Sequence, residues 1–148
     1  MPNYTPLFDC VRIVARLVEL ARAKRRDRLL VAGHAKNDIL LELHRYGFLS
    51  AVSTKSCGLP RCQYDIAMVA WHDHSIKVLE PTLDLVVHFL SPTGLLAIWV
   101  GSLEHGAHQQ LRLALDRLGF HIESGSQVER GIAVCARRIE VGRLAKAA

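Results

Sequence analysis

What most constrains this chain is an alternation: apolar runs of strand length are separated by stretches whose apolar residues recur at helical spacing. Arg28-Leu29-Leu30-Val31-Ala32-Gly33 is a run of the first kind, as are Phe48 to Ser53, Gln63 to Trp71 and Leu95 to Val100. Runs with so little polar alternation suit strands buried on both faces, as in parallel sheets. Before them, Thr5-Pro6 starts a helix, with Leu7, Val11, Val14, Val18 and Ala21 on its apolar face to about Arg26. A second helix is capped by Asn37 or Asp38, buries Ile39, Leu40 and Leu43, and ends at Gly47. Pro81 opens a third, which Ser91-Pro92-Thr93-Gly94 breaks, and Leu111, Ala114, Leu115 and Leu118 mark a fourth closed by Gly119. Phe120 to Glu123 and Gly131 to Arg137 complete the order as two strands about the polar turn Ser124-Gly125-Ser126-Gln127. This order predicts an α/β fold with helices on both faces of the sheet, four parallel strands and a C-terminal hairpin contributing one antiparallel strand.

Residues 1–148 suit a single domain: an N-terminal helix over 1–27, a core over 28–138 and a basic tail over 139–148. Half of the residues are hydrophobic, at 50%, and 22% are charged, which argues against disorder. Cys10, Cys57, Cys62 and Cys135 lack the spacing of a disulfide framework, and Met1 to Asp9 has no basic stretch followed by an apolar one. Reduced thiols and a cytoplasmic location are therefore expected. The longest apolar region, Leu83 to Leu103, is interrupted by His88 and by Ser91 to Gly94, so no membrane span is expected. The net charge of +5 comes partly from Lys24, Arg25, Arg26 and Arg28 and partly from Arg137, Arg138, Arg143 and Lys146. Such clusters can bind nucleic acid. The plainer reading is that the first cluster ends a helix, where cations complement the dipole, and the second is a solvated tail. No aromatic residues interleave with either to form a stacking platform.

Three stretches resemble the class I, Rossmann-like methyltransferases that use S-adenosylmethionine. Leu29-Leu30-Val31-Ala32-Gly33-His34-Ala35 is similar to that family's apolar strand running into a glycine-rich turn. Tyr64-Asp65-Ile66-Ala67-Met68-Val69 resembles its fourth strand, and Leu90-Ser91-Pro92-Thr93-Gly94-Leu95-Leu96 resembles the turn introducing its fifth. Leu118-Gly119-Phe120 and Gly131-Ile132-Ala133-Val134 fit its sixth and seventh strands. The resemblance implies S-adenosylmethionine as cofactor, lying over Gly33, His34 and Ala35, with Ser53 and Thr54 at the ribose and Trp71 near the transferred methyl. It also implies a small-molecule ligand and leaves the methyl acceptor open. Three departures accompany it. Only Gly33 remains of the turn's glycines, and Ser53-Thr54-Lys55 stands where the family ends its second strand with an acid. About ten residues, Thr54 to Gln63, span the interval in which the family places a helix and its third strand, so that strand is expected to be missing.

In such a sheet, ligands bind outside the C-terminal ends of the strands. Loops at that edge are expected to carry His34, His72, His74, His105 and His108. Where methyl transfer needs a base, His72 or His74 is the first choice and His34 the next. His72-Asp73-His74 with Glu104, His105 and His108 can also be read as zinc ligands. Histidines from separate loops without tight spacing are more simply tolerated loop residues, so no metal is expected. Trp71 either stacks on a flat ligand or covers the core, whereas Trp99 reads as core. The leading function is a small methyltransferase-like protein. The alternative is a non-catalytic Rossmann-like domain kept for binding or dimerisation, with homo-oligomers compatible with either. A nucleotide site using Lys36 or Lys55 lacks a glycine-rich phosphate cradle.

Overall fold

The computed structural model describes residues 10–34, 36–54, 61–72, 76–102 and 105–139. Thr5, Pro6 and the tail from 140 onward lie outside them. In chain order the elements are α1 (Cys10–Ala21), β1 (Leu29–Gly33), α2 (Lys36–Arg45), β2 (Val52–Ser53), β3 (Tyr64–Trp71), α3 (Ile76–Phe89), β4 (Leu90–Val100), α4 (His105–Arg117), β5 (Phe120–Val128) and β6 (Gly131–Arg138).

The six strands form one sheet in the order β2-β1-β3-β4-β6-β5. β2, β1, β3 and β4 pair in parallel, and β6 lies antiparallel between β4 and β5. The sheet is thus the expected one. Its core has two layers because alternate residues of each strand face opposite ways. Leu30, Ala32, Ala67, Val69, Leu96 and Ile98 pack with Leu79, Leu83, Leu111 and Leu115 of α3 and α4. Leu29, Val31, Ile66, Met68, Ala97 and Trp99 pack with Ile13, Leu17, Ile39 and Leu43 of α1 and α2.

Several boundaries differ from the sequence reading. α1 stops at Ala21 rather than near Arg26, because Arg22 turns left-handed at φ 52°. The Arg22 N–H then bonds to the Glu19 carbonyl and the Ala23 N–H to the Val18 carbonyl. This is the double hydrogen bond that closes helices, and α2 ends in the same way at Gly47. Lys24 to Arg28 therefore lie beyond the helix rather than in its last turn. Asn37 and Asp38 sit inside the first turn of α2. α3 begins at Ile76 and contains Pro81. The missing N–H leaves only the carbonyl of exposed Lys77 without its helical donor, a group water can satisfy. Of the run from Phe48 to Ser53, only Val52 and Ser53 pair as strand. Ser91 to Gly94 belongs to β4 as an outward irregularity, since pairing with β3 moves from Tyr64↔Leu90 to Ile66↔Leu95. Ser124 to Gln127 is strand rather than turn. The hairpin reverses at Glu129 and Arg130, between the paired residues Val128 and Gly131. β5 is an edge strand with most of its residues partly or fully exposed, which is why polar residues suit it.

Candidate functional site

β1 connects to β2 on one side of the sheet, whereas β3 connects to β4 on the other. The reversal falls between the C-terminal ends of β1 and β3, the position at which open α/β sheets form a crevice and take ligands. Gly33 ends β1 there at φ +93°. A Cβ on Gly33 would stand 2.5 Å from the Ala70 carbonyl oxygen of β3. Close approach of the two strands thus accounts for its missing side chain, beside any approach of a ligand.

The next residue closes the crevice wall. The His34 amide donates to the Ala70 carbonyl at 2.9 Å, extending the β1–β3 ladder by one bond. Its ring stacks on Trp71, with centroids 4.0 Å apart and planes 21° from parallel. The His72 ring also lies against it, tilted by 39° with centroids 4.3 Å apart. The His72 amide donates to His34 Nδ1 at 3.2 Å. That bond needs a lone pair on Nδ1, so the neutral ring carries its hydrogen on Nε2. Trp71 is buried in the layer beneath α3 and α4 while it meets His34, so it both covers the core and forms the crevice wall. Trp99 is core, with its Nε1 donating to the Val128 carbonyl at 2.9 Å.

Ser53 and Ser102, each 8% exposed, are the only buried polar residues among the described ones. Both lie at this edge, Ser53 ending β2 and Ser102 just beyond β4. Half-buried Thr54 donates its amide to the Val31 carbonyl at 3.1 Å, which carries the β2 end along β1. The sequence reading named Ser53 for the site but not Ser102. The signal available was a serine that follows the fourth apolar run after Gly101, at the same sheet edge.

The structure thus brings Gly33, His34, Ser53, Thr54, Trp71 and His72 to one edge. Ala35, Lys55 and His74 fall outside the described residues, as do Asp73 and Glu104. His105 and His108 are not loop residues but lie in the first turn of α4. Among the described residues, no group of three or more His, Cys, Asp or Glu side chains is placed to hold a metal ion. No described helix is long and apolar enough to cross a membrane.

No protein-family model and no curated protein sequence matches the chain. Solved structures do. A SAM-dependent methyltransferase from Aquifex aeolicus superposes with a TM-score of 0.61 at 15% identity, over 90% of this chain and 91% of that one. The 1,6-didemethyltoxoflavin-N1-methyltransferase of Burkholderia thailandensis, with bound 1,6-didemethyltoxoflavin and S-adenosylhomocysteine, gives 0.60 at 14% identity, over 88% and 79%. The cyclase SpnF gives 0.60 at 12% identity, over 87% and 81%, so the architecture also serves an enzyme described by another reaction. With this sheet order, helices on both faces and these neighbours, the chain has the Rossmann-like fold of the class I methyltransferases.

Proposed function

We propose that the chain is a small S-adenosylmethionine-dependent methyltransferase-like protein, with its cofactor across the C-terminal ends of β1, β2 and β3. One observation carries this reading: the Gly33 turn, the His34 ring and the β2 end at Ser53 and Thr54 meet at the switch in strand order. A hydroxyl at the end of β2 can donate to and accept from a ribose. The donor set fits the cofactor. Ser53 offers a donor and an acceptor to the ribose, while the His34 ring, backed by Trp71, offers aromatic surface to a flat base or to a sulfonium. S-adenosylmethionine supplies an electrophilic methyl group when bound. The chain's own part is to orient both reactants and exclude water. His72 is the base in this reading. His34 is a positioning residue, because its Nδ1 lone pair is already used by the His72 amide. The methyl acceptor is left open.

A second reading has its own observation. His34 already covers Trp71 at 4.0 Å, and the end of β2 offers a hydroxyl instead of a carboxylate. Both suit a non-catalytic domain that has kept the fold for binding or dimerisation. Calorimetry with S-adenosylhomocysteine separates the two. The first reading expects a dissociation constant on the order of tens of micromolar, roughly 6 kcal/mol of binding free energy. It also expects several-fold weakening in Ser53→Ala, with circular dichroism confirming the fold. No heat up to millimolar ligand favours the second. Gly33→Val is unsuited as a control, since its side chain would strike Ala70 whether or not a ligand binds.

A further inference from the structure

Two loops feed adjacent parallel strands and therefore emerge side by side at the N-terminal edge of the sheet. Residues 22–28 lead into β1, and residues 46–51 lead into β2. The first loop carries cations. Arg22, Lys24, Arg25 and Arg26 are exposed, and their side chains form no ion pair among the described residues. Elsewhere the surface arginines have carboxylate partners, as Arg16 has Glu19 and Arg117 has Glu80. The acids beside this loop are Asp27 and Asp65. They accept the Lys24 amide at 2.8 Å and the Arg28 amide at 2.7 Å. With exposed Arg28, five cations stand against these two carboxylates, so the loop surface is positive on balance.

The second loop carries an apolar tip. Leu49 is 78% exposed, more than any other large apolar side chain among the described residues. Its place is fixed from both sides. Buried Phe48 donates its amide to the Leu43 carbonyl at 2.9 Å, and the Ala51 amide closes a turn on the Phe48 carbonyl at 3.2 Å. Leu49 and Ser50 form the exposed corner of that turn. Tyr46, 39% exposed, stands just before it. The two loops meet at Gly47. The Arg25 side chain passes this glycine, with its Nε 3.1 Å from where a Cβ would stand. A projecting leucine and a partly exposed tyrosine thus adjoin the cationic loop.

We infer that this edge docks the protein on an anionic membrane surface. Leu49 enters the boundary between headgroups and acyl chains, and the amphipathic Tyr46 ring lies at headgroup level. Lys24, Arg25 and Arg26 meet the negative headgroups, which attract basic segments within a Debye length. The apolar tip selects this occupant. A nucleic-acid duplex would take the cations through its phosphates and offer Leu49 no apolar partner. A stable protein interface needs a complementary patch of about 800 Å² on each side. Here two side chains project from a turn and line none of the described clefts. A fluid surface closes round such projections. No described helix is able to span a membrane, so the association is peripheral. Gly33 and the proposed crevice lie at the other end of β1 and face away from the lipid. The inference is therefore independent of the cofactor reading.

Co-sedimentation of the full chain with vesicles of about 30% phosphatidylserine in phosphatidylcholine tests it. Binding should be about tenfold or more tighter than to pure phosphatidylcholine vesicles, and should weaken as salt rises. Lys24→Glu with Arg26→Glu should remove the preference for phosphatidylserine. Leu49→Ser should weaken binding about threefold or more while circular dichroism stays unchanged. Leu113→Ser, on exposed α4 surface, should bind as the wild type does. Four results would each overturn the proposal. They are no phosphatidylserine-dependent sedimentation up to millimolar lipid, full binding by Leu49→Ser, equal loss in Leu113→Ser, or tighter binding of an RNA duplex that Leu49→Ser leaves undiminished.

Discussion

His34 is held from three sides: by its amide on Ala70, by its ring on Trp71 and by the His72 amide on Nδ1. Its neutral ring should be the Nε2–H tautomer, which nitrogen-15 chemical shifts of the two ring nitrogens can read directly. His34→Ala should cost about 1–2 kcal/mol in chemical denaturation, the sum of one hydrogen bond and one ring contact. Gly33→Ala should cost more than about 2 kcal/mol, since it meets both a positive φ and the Ala70 oxygen. Cys135 makes a different prediction. Burial pushes its thiol up from 9.0 to about 11, with the Glu123 carboxylate adding and Arg137 opposing. The unfolded chain thus ionises this thiol first as pH rises. The stability it contributes is complete below pH 9 and declines toward pH 11, by about 2–3 kcal/mol in all. Denaturation at pH 8 and pH 10.5 should show that loss in the wild type and a smaller one in Cys135→Ala. At this scale the sequence marked His34, Trp71 and His72 as neighbours of one edge. It could not show that they touch each other, because their contact depends on the register of β1 against β3.

The elements were legible where apolar period and a glycine agreed, as in β1 with Gly33 and α2 with Gly47. They were illegible where a left-handed turn falls on a residue that does not advertise it. Arg22 ends α1 in this way, and Glu129 and Arg130 turn the hairpin at φ 48° and 58°. Two positive φ values in a two-residue hairpin loop make a turn that Asn-Gly serves best. Arg130→Gly should therefore raise stability by about 1 kcal/mol, seen as a higher thermal midpoint. Ser124 to Gln127 misled for a related reason. Polar residues signal turns in isolation, but an edge strand accommodates them as well. Pro81 was read as a first helical residue, although an exposed helix face tolerates proline further in when water can take the orphaned carbonyl.

Over the whole molecule, the order of the elements sufficed for the sheet, because crossovers of this kind allow few arrangements. β2 stands at one margin of that sheet and no described strand flanks it, as the short interval from Thr54 to Gln63 implies. The charge arrangement was not legible, since it depends on which arginines find carboxylates across the fold, as Arg117 finds Glu80 and Arg12 finds Glu129. The two sheet edges are thus unlike. One carries buried serines and stacked rings, and the other carries Arg22, Lys24 and Arg26 beside Asp27 and Asp65. The central claim is that the first of these edges holds an S-adenosyl nucleoside. Nitrogen-15 correlation spectra of the labelled full chain, titrated with S-adenosylhomocysteine, test it most directly. Shifts should concentrate at the amides of His34, Ser53, Thr54, His72 and Ser102. No shifts up to millimolar ligand, or shifts gathered instead at 22–28 and 61–63, would contradict it.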